Sequence, residues 1–180
     1  MLGHDDFAKE VWSRAPSLLS GTNIDGETPL ITALMAANLS LASDIITAAS
    51  CHMQHDDLKH MLLKVDRSEG NALHHAMRND FENLALQLLN IEPRLSEQVI
   101  NTGESPMYMA ARRGYTEVVE RLLDIPSSAD SGTKDESALH AAVRVGHTGQ
   151  DYTAVNVLGN NAVNVVYSKT ALLKTLKWVS

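Results

Sequence analysis

Four short segments recur along the chain, and their recurrence restricts the fold more than any other feature. They are Thr28-Pro29-Leu30, Asn71-Ala72-Leu73-His74, Ser105-Pro106-Met107 and Ser137-Ala138-Leu139-His140. Their starts, at positions 28, 71, 105 and 137, lie 43, 34 and 32 residues apart. Self-similarity at such a period marks a stack of small supersecondary units, because one unit alone cannot bury its apolar face.

The chemistry inside each unit supports a helix–turn–helix. Every segment opens on Thr, Asn or Ser, whose side chains satisfy the free N–H groups of a helix start. Pro29 and Pro106 follow at the first helical position, where a missing N–H costs nothing. Small residues come next, Ala76, Ala110-Ala111 and Ala141-Ala142, which let neighbouring helices approach closely. A break follows at Gly114-Tyr115 and Gly146-His147, with weaker versions at Asp80-Phe81 and Ala37-Asn38. A second apolar helix then recurs: Leu41, Ala42, Ile45 and Ile46; Leu84, Ala85, Leu88 and Leu89; Val118, Val119, Leu122 and Leu123. Pro93 and Pro126 stop it at corresponding places, and Pro16 stands the same distance before Thr28. Phe7, Ala8, Val11 and Trp12 ahead of Pro16 read as the second helix of a further repeat whose first helix is absent.

The runs Gly-Glu-Thr-Pro-Leu at 26–30, Ala-Ala-Arg-Arg-Gly-Tyr-Thr-Glu-Val-Val-Glu-Arg-Leu-Leu at 110–123 and Ser-Ala-Leu-His-Ala-Ala-Val-Arg-Val-Gly-His at 137–147 resemble ankyrin repeats. The linkers Pro93-Arg94-Leu95-Ser96 and Pro16-Ser17-Leu18-Leu19 resemble those of the plant ankyrin family related to the accelerated-cell-death proteins. Members of that family usually carry transmembrane helices after the repeats, and this sequence has no apolar stretch of the ~18–20 residues a bilayer span needs. The resemblance implies an all-α ankyrin-repeat solenoid with short hairpin loops, acting as a protein-binding scaffold. The expected repeat domain covers residues 1–148 and the divergent tail 149–180.

Two stretches depart from the period. The first interval is 43 residues against 34 for the second, which places an insertion near 50–64. There a His/Cys-rich loop precedes Asp56-Asp57 and the helical set Leu58, Met61 and Leu62, predicting a short extra helix. After His147, Ala154-Val155-Asn156-Val157 and Ala162-Val163-Asn164-Val165 flank Leu158-Gly159-Asn160-Asn161. That pattern reads either as a hairpin or as one irregular helix completing the fourth unit. Leu172, Leu173, Leu176 and Val179 then share one side of a helix, read as a cap on the last repeat or as an amphipathic basic segment with Lys169, Lys174 and Lys177.

Bulk properties narrow the function. With 22 acidic and 15 basic residues the chain has a formal charge of −7, which argues against nucleic acid as the general partner. The one cysteine, Cys51, provides no disulfide framework, and His4, Asp5 and Asp6 stand where a signal sequence would be apolar. A cytoplasmic setting is expected, with the nucleus also open.

No phosphate-binding glycine loop, nucleophile elbow or metalloprotease helix occurs, so no enzyme, no catalytic residue and no cofactor is expected. His52, His55 and His60 beside Cys51 suggest a metal- or thiol-dependent alternative, but a structural zinc site usually wants a second cysteine pair. His74 and His140 fall in the ankyrin histidine column, where the resemblance implies a hydrogen-bonding spacer. The expected partner surface is the concave face. Arg78, Arg112 and Arg144 share one column there, beside Asn79 and Arg113, and Glu27, Glu104 and Glu136 form a second, acidic column. Tyr108 and Met109 are expected to add apolar contact area. Self-association through the terminal helix or the tail, in a structural fragment of a larger protein, is the other reading.

Overall fold

A computed structural model describes residues 4–146, and helices account for the regular structure of those residues. In chain order they are α1 (His4–Arg14), α2 (Pro29–Met35), α3 (Leu39–His52), α4 (His55–Leu62), α5 (Ala72–Arg78), α6 (Glu82–Ile91), α7 (Pro106–Arg113), α8 (Thr116–Leu123) and α9 (Ala138–Gly146). Short 3-10 helices, Pro16–Ser20 and Pro93–Glu97, follow α1 and α6 at the two proline linkers. The tail at 149–180, read as hairpin, irregular helix or capping helix, lies outside the described residues.

Sequence-encoded caps start the first helix of each of the first three units. Thr28 accepts the Ile31 N–H at 3.2 Å, and Ser105 accepts the Tyr108 N–H at 3.1 Å. Asn71 accepts the N–H groups of Leu73 and His74, and His74 Nδ1 in turn accepts the Asn71 N–H, which closes a capping box.

The first helices of these three units end in one repeated way. Ala37, Asp80 and Gly114 all take a left-handed conformation, with φ of 54°, 61° and 75°. The next residues, Asn38, Phe81 and Tyr115, then donate their N–H groups to the Ala33, Ala76 and Ala110 carbonyls at 2.9–3.0 Å. This satisfies carbonyls that the helix end would leave open. Gly114 takes it without a Cβ penalty and aspartate tolerates it, so Ala37 is the least suited of the three.

First helices α2, α5, α7 and α9 pack in succession, and α6 packs on α8 in the second row. One small residue per unit, Ala33, Ala76, Ala110 and Ala142, is buried along the first row. Leu84, Leu88 and Leu89 of α6 and Val118, Val119 and Leu122 of α8 fill the space between rows. Deleting one of these leucines to alanine would cost about 2–5 kcal/mol.

Hairpin loops join the units. The N–H groups of Asn23, Asp66, Ile100 and Gly132 each donate to the residue just before the next cap, Glu27, Gly70, Glu104 and Glu136, at 2.7–3.1 Å. Neighbouring loops are stitched by matching bonds, Arg67 N–H to Asp25 O and Asn101 N–H to Ser68 O, both 3.0 Å.

The insertion forms the expected extra helix, α4, which buries Leu58, Met61 and Leu62. The His/Cys stretch is not a loop, however. Cys51 and His52 belong to the last turn of α3, while His55 and His60 lie on α4. Continuous apolar spacing through Ala42, Ile45, Ile46 and Ala49 carries α3 one turn further than the loop expectation allowed. Helix α1 packs on α3, with Lys9 paired to Asp44 at 2.7 Å and the Asn38 amide donating to Asp5 at 3.2 Å. No helix among the described residues is long and apolar enough to cross a membrane.

Candidate partner-binding face

Arg78, Arg112 and Arg144 stand at equivalent positions near the C-terminal ends of α5, α7 and α9, and all three are exposed. The two expected columns do not remain separate. Arg112 pairs with Glu104, and Arg144 pairs with Glu136, so each glutamate just before a cap closes on the arginine ending the same helix. The Arg144 hydrogen bond is the main cause holding the Glu136 carboxyl below the usual range, with a further hydrogen bond from Tyr108.

In the second unit Gly70 occupies the glutamate position, and Arg78 has no carboxylate partner among the described residues. The first unit is the mirror case, with Met35 in the arginine position. Glu27 instead accepts the Asn23 amide at 2.7 Å. Among the described residues, a cation without an acid and an acid without a cation therefore remain on adjacent units.

Tyr108 is placed differently from expectation. It is 1% exposed, and Met109 is buried beside it, so neither ring nor thioether supplies contact area. The Tyr108 hydroxyl donates to Glu136 at 3.1 Å and lies 3.2 Å from Thr133 Oγ1. The Arg112 guanidinium sits 5.7 Å from its ring centroid. Gly132 packs directly on the ring, where any Cβ would come within 2.0 Å of it. The phenol thus positions Glu136 and Arg112 from beneath.

Asn79 and Arg113 also act inside the stack. Asn79 Nδ2 donates to the Leu34 carbonyl at 2.8 Å, and Arg113 donates to the Arg78 carbonyl at 3.1 Å. Each residue caps the end of the preceding first helix. Arg113 further pairs with Asp80 at 2.6 Å, and Asp80 accepts the Tyr115 hydroxyl at 2.5 Å. Burial, then the Asp80 hydrogen bond and charge, push the Tyr115 phenol up to about 12.

Below the arginines lie two histidines. Burial, and next the positive charge of Arg78, push His74 down to about 3. Its Nε2 faces the Gln98 backbone outside hydrogen-bond geometry. His75 is also pushed down by burial, against the pull of Asp66 at 2.8 Å. Burial would raise Asp66, but hydrogen bonds from Ser68, the Gly70 N–H and His75 together hold it below its usual range. His140 remains exposed, beside Ser137.

No cluster of three or more metal-ligating side chains occurs among the described residues. Cys51 is exposed.

Three of these relationships were beyond sequence reading: the merging of the columns, the Asn79 and Arg113 caps, and the Tyr108 hydroxyl contacts. The equal offsets of Glu104 from Arg112 and Glu136 from Arg144 were the available signal for the first. Asn79 and Arg113 reach partners on another unit, which no local pattern announces.

The family model described as Ankyrin repeats (3 copies) matches residues 73–169, more than half of the chain. No curated protein matches it.

Proposed function

Because the chain belongs to the ankyrin-repeat family, whose repeats generally mediate protein–protein interaction, we propose that it is a non-enzymatic module that holds an acidic protein segment along its concave face. The observation that carries this is the exposed arginine at one register position in three successive units, with Arg78 lacking a carboxylate partner among the described residues. Arginine binds carboxylates through forked, paired hydrogen bonds, and an arginine without an internal partner loses none on binding. Arg112 and Arg144 contribute less, since each must share its guanidinium with a glutamate.

Packed helices stand about 8–10 Å apart. An extended peptide rises about 3.3 Å per residue. An acidic side chain at roughly every third residue therefore fits the ladder. Panning a displayed peptide library against the full chain tests this. The expected result is enrichment of Asp and Glu at that spacing, lost when the bait carries Arg78→Glu. Selected peptides without acidic residues, or equal recovery on the variant, would overturn it.

The same reading extends to lineage and compartment. The linkers at 93–96 and 16–19 support kinship with the plant accelerated-cell-death-related ankyrin family, and the single cysteine supports a reducing, cytoplasmic setting.

A further inference from the structure

The third and fourth units each close one ion pair at the same two register positions, Glu104 with Arg112 and Glu136 with Arg144. The first unit keeps the glutamate, Glu27, but has Met35 where the arginine belongs. The second keeps the arginine, Arg78, but has Gly70 where the glutamate belongs. Among the described residues neither Glu27 nor Arg78 forms an ion pair, and the two do not pair with each other. Resting on the concave-face reading above, we infer that the bound segment supplies both missing halves: a cation that closes on Glu27 and, about three residues along, an acid that closes on Arg78.

Glu27 is held ready for a cation. Asn23 Oδ1 accepts the N–H groups of Asp25 and Glu27 at 2.9 and 3.0 Å, which fixes the hairpin tip. The Asn23 amide then donates to Glu27 Oε2 at 2.7 Å, and Thr32 Oγ1 lies 3.5 Å from the same oxygen. Glu27 Oε1 accepts no hydrogen bond among the described residues, so one carboxylate oxygen is open while the other holds the group in place. Met35, 51% exposed at the arginine position, brings no charge of its own. Its apolar surface suits the aliphatic stem of an incoming arginine, whose head then reaches Glu27.

The two open charges lie at one junction. Helix α2 packs on α5, which carries His75. Burial pushes His75 down, and of the two open charges Arg78 adds to this while Glu27 opposes it. Both therefore bear on one side chain between the first and second units.

Spacing and sign define the segment. Packed helices stand about 8–10 Å apart. A polyproline-II segment has three residues per turn and rises about 3.1 Å per residue, so residues three apart project from the same side about 9 Å apart. A wholly acidic segment would set a carboxylate against Glu27, and like charges across an interface are penalised. The segment must therefore reverse its charge where it passes from the second unit to the first.

Panning the displayed peptide library against the full chain reads both charges at once. Recovered peptides should carry Asp or Glu and, at that spacing, Arg or Lys. Met35→Arg gives Glu27 an internal arginine at the position from which Arg112 reaches Glu104; on that bait the acid should persist and the cation should lose its enrichment. One recovered peptide, labelled, is then measured by fluorescence anisotropy. Replacing its cation with glutamine should weaken binding at least about 5-fold on the native chain and less than about 2-fold on Glu27→Gln. Thermal melts check that both variants remain folded, and the native-chain selection stands without them. Acidic peptides with no cation at that spacing overturn this inference and leave the acidic-segment reading intact, whereas peptides without acids overturn both. Equal weakening on the native chain and Glu27→Gln puts the cation elsewhere and overturns it too.

Discussion

Arg112 closes on Glu104, the residue just before the cap of its own helix, and Arg144 repeats the arrangement with Glu136. The pairing turns one repeat into an electrostatically closed unit and leaves Arg78, opposite Gly70, as the open one. Glu104 is largely buried while Arg112 remains half exposed, which puts the pair above a purely surface bridge but well short of a buried one. A double-mutant cycle on Glu104→Gln and Arg112→Gln should yield a coupling of about 1 kcal/mol. Arg78→Gln should change stability by less than about 0.5 kcal/mol. Urea unfolding of the variants reads both. A large loss at Arg78 would mean that this side chain has a structural partner.

Ala37 and Asp80 stand in the left-handed conformation that Gly114 occupies in the third unit. Alanine gains nothing there, so Ala37→Gly should stabilise the fold by about 0.5–1 kcal/mol. Asp80→Gly relieves the same strain but removes the acceptor of both Arg113 and Tyr115. It should therefore destabilise by about 1 kcal/mol. Opposite signs at equivalent positions, measured by urea midpoint, are the expected outcome; equal signs would show that the Asp80 bonds contribute little.

Gly132 lies against the Tyr108 ring, where a Cβ would meet ring carbons at 2.0–2.6 Å. Gly132→Ala must shift the ring or the loop and should cost more than about 2 kcal/mol. The thermal midpoint of the variant checks this. A neutral result would show that the loop carrying Gly132 moves freely over Tyr108.

The elements that were legible in the sequence are those encoded locally. Thr28, Asn71 and Ser105 cap helices because capping needs only the next turn of chain. The leucines of α6 and valines of α8 declare an apolar face by spacing alone. Position in the repeat located the breaks at Ala37-Asn38 and Asp80-Phe81, but not the left-handed backbone that makes them. What stayed hidden depends on neighbours. Tyr108 looks like a surface aromatic until the next hairpin covers it. Asn79 and Arg113 resemble binding residues until the carbonyls of the preceding helix are in place. Cys51 and His52 were misread because nothing in residue type tells where α3 ends and the insertion begins.

Acid should destabilise the protein before its carboxylates titrate. His74 is held neutral by burial and by Arg78, with a pKa down to about 3, whereas an unfolded histidine titrates near 6.5. As pH falls, the unfolded chain takes up the proton first. Stability is therefore full above about pH 6.5 and is lost progressively towards pH 3. His74 alone implies a loss of about 2 kcal/mol by pH 5. His75, also pushed down by burial, adds in the same direction. Asp66 is held low, so its contribution is lost only below about pH 4. Urea midpoints from pH 7.5 to 4.5 should fall in the native protein and flatten in His74→Gln. Parallel profiles would show that charging of His74 is not the cause.

On the proposed reading, the arginine register, above all Arg78, receives an acidic segment. Fluorescence anisotropy of a labelled peptide selected on the native chain measures it most directly, with Arg78→Glu beside Arg14→Glu, an equally drastic reversal on exposed α1 outside the register. Arg78→Glu should weaken the Kd at least about 10-fold, about 1.4 kcal/mol, and Arg14→Glu should leave it unchanged. Equal affinities across the native chain and both variants would contradict it.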